Sequence, residues 1–401
     1  MLTFAIDFFV MNIAYILNAT ILSGGATKAF LNMLEGLLPY GIHPFVVVPD
    51  DEGVTQELKA KRIPTLVVNY RSSAYPSFHT VKERLLFIPK LVARIIVNFK
   101  ATKAIEAFVK RNKIDLIHSN TGIVRIGFDA AQKAGIPHIY HIREYGDLDF
   151  GIHYFPRRKS FFWQLGSPHC YSICITKDIQ RYYNQQATDT SRIIYDGVFS
   201  SLKVIPTDNS KNYFLYAGRI QPAKGLDQLL LAYKRYANLN DQPLPLKVAG
   251  SNSDDAYYKR QIQFIKENEL TDKVELLGEC DNIALLMRQA RALIIPSRNE
   301  GFGFCMPEAM QQGCLCIAHN TGGTKEQLDN ALEMAGQEIA LRYETVEQLA
   351  GLLSEVAYYP VSYYDDFTEK AFVVVNQLYT KENHAKKVYE FYNDILNDTN
   401  H

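Results

Sequence analysis

The chain has no surplus of charge of either sign: its 43 basic and 43 acidic side chains cancel over 401 residues. That excludes the whole-molecule positive field of a nucleic-acid-binding protein. None of the six cysteines lies in a C-x-x-C pair, so neither a zinc site nor a disulfide framework is indicated, and a reducing cytoplasm fits. No Walker A sequence and no H-E-x-x-H occurs, and no repeat of solenoid or propeller length is visible. An uninterrupted apolar run of membrane-spanning length is also missing. "MLTFAIDFFVMNIAYIL" is broken by Asp7 and Asn12, no Lys or Arg precedes it, and no small-residue cleavage site follows. It is expected to be neither an export signal nor a membrane span. We read "NIAYIL" as a buried first strand and residues 1–10 as a candidate extension from an upstream start codon.

What is present is enough apolar material for two cores: 47% hydrophobic and 12% aromatic residues in a chain too long for one ordinary domain. Short apolar runs alternate with helical stretches throughout, the pattern of parallel βαβ units. The first half supplies "NIAYIL", "HPFVVV", "PTLVVNY", "IDLIHS", "IPHIYHI", "CYSICIT" and "RIIYDG"; the second supplies "YFLYAG", "LKVAG", "VELLG", "ALIIPS", "CLCIAH" and "EIALRY". We expect an α/β protein with two doubly wound, Rossmann-like domains facing across a cleft. Residues 1–200 form the first, 201–212 a polar linker, 213–380 the second, and 381–401 a C-terminal helix packing back toward the N-terminal domain. Ligands of such open sheets bind at the carboxyl ends of the strands.

Two stretches of the second half carry charges suited to that position. In "YAGRIQPAKGL" a strand ends at Gly218, and Arg219 and Lys224 follow. A guanidinium fork and an ammonium point charge suit a diphosphate, although two solvated loop cations would leave the same trace. In "SRNEGFGFCMPEAMQQG" a strand is followed by a Gly-x-Gly turn and a helix with Pro307 in its first turn. Glycines 301 and 303 allow close backbone approach, and the helix start offers N–H groups to an anion. Glu308 is placed to accept from vicinal hydroxyls such as those of a ribose, and Glu300 to contact the opposite side of the ligand. Either glutamate alone reads more simply as an exposed or capping charge; it is the combination with Arg219 and Lys224 that points to a site.

The E-x7-E spacing of Glu300 and Glu308, the G-R…K-G stretch at 218–225, "GG" at 322 and 323 followed by Glu326, and "SGGATKAF" after the first strand together resemble family 4 glycosyltransferases, which are retaining enzymes of the GT-B fold. The resemblance runs from about residue 11 to the final helix. It implies that Arg219 and Lys224 bind the diphosphate of a nucleotide-diphosphate sugar, and Glu308 its ribose. Gly218 and Glu326 would also lie at the donor, while Glu300 and the backbone of Gly301, Phe302, Gly303 and Phe304 would lie against the transferred sugar. Gly24 and Gly25 would approach the diphosphate from the other domain. His141, ending "IPHIYHI", would face the reacting sugar, as general base or as hydrogen-bond partner of a sugar hydroxyl. The resemblance implies no cofactor and no strictly required metal ion, and it leaves uridine and guanosine donors open.

Competing signals are weaker. "DLD" at 147–149 is the Asp-x-Asp that other glycosyltransferases use to hold a divalent cation, but acidic triplets of this size are common by chance. "EGFGFCM" begins like a dinucleotide-binding G-x-G-x-x-G, yet Met306 stands where the third glycine belongs. A sugar-nucleotide epimerase, a phosphorolytic enzyme or an inactive binding subunit on the same architecture are the alternatives to transfer.

Local charge bears on the acceptor. Residues 81–113 hold nine Lys or Arg against two Glu, interleaved with Leu, Ile, Val and Phe, and "YFPRRKSFFWQLG" at 154–166 sets three consecutive cations among aromatics. Such surfaces suit the anionic face of a bilayer; a core-facing helix with solvated lysines is the plainer reading of the first. We expect a cytoplasmic enzyme, on the inner face of the cell membrane, that extends a glycan or lipid-linked saccharide in bacterial capsule, O-antigen or exopolysaccharide synthesis.

Overall fold

The computed structural model describes residues 10–22, 24–76, 81–185, 188–206 and 210–398. The chain divides into two compact units, Met1–Gly197 with Lys381–His401, and Val198–Thr380. The strands of the first unit are β1 Met11–Ile16, β2 Ile42–Val48, β3 Thr65–Val67, β4 Ala74–Pro76, β5 Leu116–Ser119, β6 His138–Ile142, β7 Ile152–Tyr154, β8 Cys170–Cys174 and β9 Ser191–Ile193. Those of the second are β10 Phe214–Ala217, β11 Leu246–Ala249, β12 Val274–Gly278, β13 Ala292–Ile295, β14 Cys316–His319 and β15 Leu341–Tyr343. Every apolar run quoted above overlaps one of them. The runs become strands because parallel sheets covered on both faces need continuous rather than alternating hydrophobicity; β5, β6 and β13 are buried at every position.

The larger sheet has the order β3-β2-β1-β5-β6-β8-β9 and the smaller β12-β11-β10-β13-β14-β15, and all of their pairings are parallel. Strand order reverses beside β1 in the first and beside β10 in the second. Each sheet therefore has a switch point, between β1 and β5 and between β10 and β13, where neighbouring crossovers leave in opposite directions and open a crevice. This is the α/β architecture of two Rossmann-like sheets expected from the sequence. The short pair β4 and β7, antiparallel and outside both sheets, was not expected: three residues with a proline among them carry no readable period.

One face of the first sheet packs on the helices Gly25–Leu37 and Lys381–Asp398. The second helix turns Ala385, Val388, Phe391, Tyr392 and Ile395 inward at helical spacing. Gly36 lets the two helices meet, since a Cβ there would lie 2.7 Å from that of Ala385. The opposite face is covered by Phe87–Asn112 and Arg125–Ala134. In the second unit Leu226–Asn238 and Val346–Tyr358 bury their apolar stripes on β10, β11 and β13.

The expected linker at 201–212 is corrected. The chain leaves the first unit earlier, at Gly197, and the stretch belongs to the second. Gln311 donates to the Ser200 carbonyl at 2.9 Å, the Leu202 N–H to Asn376 at 2.8 Å and Lys211 to the Gly313 carbonyl at 3.0 Å. Residues 207–209 and nine of the ten residues in the candidate extension, 1–9, lie outside the described residues. Among the described residues no helix is long and apolar enough to cross a membrane.

Because Phe391 is 1% exposed, Phe391→Ala is expected to cost the first unit about 3–5 kcal/mol. The measurement is the denaturant midpoint of that unit; an unchanged midpoint would show that the C-terminal helix is not part of its core.

Candidate active site

The switch point of the second unit collects the charged residues singled out above. After β10, Gly218 leads to Arg219, and the chain turns through Pro222–Lys224 into the helix Leu226–Asn238. After β13 it runs through Ser297 to Glu300 and then into the helix Cys305–Gln311. Two contacts bring these loops together. Gly225, at φ 69°, passes so close to β13 that a Cβ would lie 1.9 Å from the Pro296 carbonyl oxygen, so glycine is required on both counts. Arg298 forks onto Asp227 at 2.9 and 2.6 Å and also reaches the Pro222 carbonyl. Tyr257 adds a hydroxyl to Asp227 at 2.7 Å.

With the loops fixed, Lys224 Nζ lies 2.8 and 2.7 Å from the two carboxylate oxygens of Glu300. The glutamate is nearly buried and the lysine partly exposed. Glu300 sits on a loop with little freedom of its own. Its carbonyl accepts from the Gly323 N–H at 2.7 Å, and Gln327 donates to the Phe302 and Gly303 carbonyls. A Cβ on Gly323 would meet the Gly301 oxygen at 2.4 Å, and one on Gly303, at φ 90°, would meet Glu300 Cγ at 2.9 Å. The Phe302 side chain is buried against Phe304 and Tyr379, so this residue offers a ligand its backbone only.

Arg219 is exposed, and its carbonyl accepts from the Tyr216 hydroxyl at 2.8 Å. Burial raises the Tyr216 hydroxyl well above its ordinary pKa, and the charges of Glu300 and Arg219 both act on it. Burial and then the Glu300 carboxylate push the Cys305 thiol up to about 12, with Lys224 opposing and Glu308 adding. Arg219, Lys224, Glu300 and Glu308 therefore share one end of one sheet. Glu326 is nearly buried one turn into the helix Gly322–Ala335, within electrostatic reach of Tyr379. Sequence reading missed Arg298, Asp227 and Tyr257, which set the geometry of Lys224. Arg298 stood inside the quoted motif, but only the fold pairs it with Asp227.

The first unit holds the remaining candidates. Gly24 and Gly25 begin the helix Gly25–Leu37 at the carboxyl end of β1, with space around Gly25. His141 is a correction. It is fully buried, its Nδ1 lying 3.1 Å from His118 and 3.0 Å from the Arg143 guanidinium. Burial first, and Arg143 second, hold its pKa well below the usual imidazole range. A ring so enclosed presents no base to an acceptor hydroxyl. Alternation along β6 put His141 on the same face as Ile139, which is the face the C-terminal helix covers with His384 and Tyr392. Its neighbour Glu144 keeps a carboxyl at the strand end. Burial raises it to about 8, with Asp149 adding, while it accepts from the Gly122 N–H at 3.0 Å. The Asp-x-Asp is engaged structurally: Asp149 accepts from the Tyr145 and Gly146 N–H groups, and Asp147 from Tyr182. Among the described residues, the group whose side-chain atoms converge closely enough for a metal ion is instead His141, Asp196 and His384.

Residues 200–357 match the family model described as "Glycosyl transferases group 1". Over 303 residues, 73% of this chain and 81% of the other, the chain is 27% identical to an uncharacterized glycosyltransferase of Methanocaldococcus jannaschii. It is 27% identical over 213 residues to the O-antigen chain mannosyltransferase RfbU of Salmonella typhimurium, covering 52% of this chain and 58% of that one. Among solved structures, Anabaena Alr3699/HepE in complex with UDP superposes with a TM-score of 0.74 at 18% identity, over 96% of this chain and 100% of the other. Residues 200–357 are thus a glycosyl transferases group 1 domain, and the chain that carries them, folded as GT-B, is a glycosyltransferase.

Proposed function

We propose that the protein is a retaining, family 4 glycosyltransferase that moves a sugar from a nucleotide-diphosphate donor to a lipid-linked glycan of a bacterial surface polysaccharide. The observation that carries the donor half is the Lys224–Glu300 pair at the β10/β13 switch point, with Arg219 beside it. UDP in the Anabaena protein and the O-antigen activity named for the Salmonella relative support the same reading. Arg219 and Lys224 take the diphosphate, Glu308 the ribose, and Glu300 with the Gly301–Phe304 backbone the transferred sugar. As the bond from the sugar to the diphosphate breaks, its electron pair goes to the leaving oxygen. The two cations then hold a group whose negative charge is growing, so they stabilise the transition state more than the ground state. No side chain in this scheme needs to be a free base, because the leaving diphosphate can take the acceptor proton on the same face of the sugar. That fits the enclosure of His141.

The acceptor half rests on the helices Val81–Leu85 and Phe87–Asn112. The second buries no residue before Ala101 among its described side chains. Ahead of that point Val81, Leu85, Ile88, Val92, Ile95 and Phe99 are each at least half-exposed, with Lys82, Arg84, Lys90 and Lys100 among them. Trp163, Arg157 and Lys159 are exposed as well. An apolar surface of this extent edged by cations suits an anionic bilayer, where a lipid-linked acceptor would be met.

Two measurements test these halves separately. Lys224→Ala is expected to lower kcat by about 10²–10³-fold, with donor still bound. Near-wild-type turnover at saturating UDP- or GDP-sugar would reject the diphosphate role. The wild-type chain is expected to co-sediment with phosphatidylglycerol vesicles at low salt and to be released at high salt. Ile95→Asp should weaken that binding without changing donor hydrolysis, and absence of binding at any salt would reject the membrane half.

A further inference from the structure

Three buried side chains of the first unit point polar atoms at one another and leave them unpaired: Nε2 of His141, Nε2 of His384 and Oδ2 of Asp196 have no hydrogen-bond partner. The residues are at most 1% exposed, and one nitrogen or oxygen from each lies within 4.8 Å of the others. His141 Nε2 is 3.7 Å from the nearer Asp196 oxygen, beyond a direct bond. Orphaned polar atoms in an interior are costly, so these three call for a partner.

The hydrogen bonds around the rings decide its chemistry. His384 Nδ1 is 2.7 Å from the Tyr195 carbonyl, which can only accept. The proton of this neutral ring therefore sits on Nδ1, and Nε2 is a bare acceptor. His141 is the reverse. Its Nδ1 faces the Arg143 guanidinium at 3.0 Å, which never gives up its protons, so Nδ1 accepts and the ring proton sits on Nε2. The Asp196 oxygen that Arg143 does not hold is an acceptor. One donor and two acceptors thus face the gap.

We infer that His141, Asp196 and His384 enclose a binding site for a single water molecule, and that this site excludes a metal ion. Water accepts from His141 Nε2–H and gives its two protons to His384 Nε2 and Asp196 Oδ2, satisfying all three. A cation would force the His141 proton onto Nδ1, against Arg143. It would set a second positive charge beside the guanidinium with one carboxylate to balance both. The water ties together β6, the segment just before the chain leaves the unit at Gly197, and the helix that begins where the chain returns at Lys381.

Crystals of the wild-type chain grown with and without zinc chloride test this directly. The expected result in both is one density peak about 2.8 Å from the three atoms, with no anomalous signal at the zinc edge. An anomalous peak there overturns the inference, as does direct closure of the three side chains with no peak. In solution, melting curves of the wild-type chain in zinc chloride and in chelator should superimpose. A zinc-dependent rise in Tm that His384→Leu abolishes would show a metal site instead.

Discussion

The charges of the second unit meet where they do because two loops are forced together at one backbone contact, Gly225 against the Pro296 carbonyl. Any side chain at 225 would push the loop after β10 away from the loop after β13, and Lys224 would lose Glu300. Arg298 and Asp227 secure the same approach from the side chains. The ion pair is thus a consequence of the sheet's switch point and not an isolated surface bridge, which would carry little weight. It leaves an ammonium held by a single carboxylate, partly open to solvent.

The first unit treats its polar residues in the opposite way. His118, His141, Arg143 and Asp196 are sunk beneath the C-terminal helix and bonded in series with its Tyr392, while its His384 stacks on His141. Burying so many polar groups is tolerable only when nearly every donor finds an acceptor. The chain's two crossings between units fall beside this cluster in sequence, Asp196 just before one and His384 just after the other. A cluster placed there specifies which surface the returning helix covers, something apolar packing alone would leave less sharply defined.

Much of the architecture is legible in the residues themselves. Continuous apolar runs mark the buried parallel strands, and the polar turns after "YFLYAG" and "ALIIPS" mark the loops that carry the site. β4 and β7 are too short to show a period, and no local pattern reports that the Leu202 N–H bonds to Asn376, a fact of tertiary structure. His141 illustrates the limit most plainly. Its position at the end of a strand is readable, but the helix that covers it begins over two hundred residues later, and no local pattern reports that pairing. Asp196 and His384 were invisible for the same reason: neither stands in a motif, and only folding brings them to the same ring.

The contrast between the units argues for where exchange with a ligand occurs. A unit charge at 4 Å is worth about 4 kcal/mol where the effective dielectric constant is near 20. A diphosphate, with two or more negative charges, can therefore compete with one carboxylate for Lys224, all the more with Arg219 exposed nearby. Glu300, released, would keep its place through the Gly323 and Gln327 bonds to its loop, as its proposed role toward the transferred sugar requires. No such exchange is open to the His141 cluster, where a departing proton or partner would strand a charge in the interior. The site that can trade partners is the one at β10 and β13, which is why the proposed transfer is assigned there.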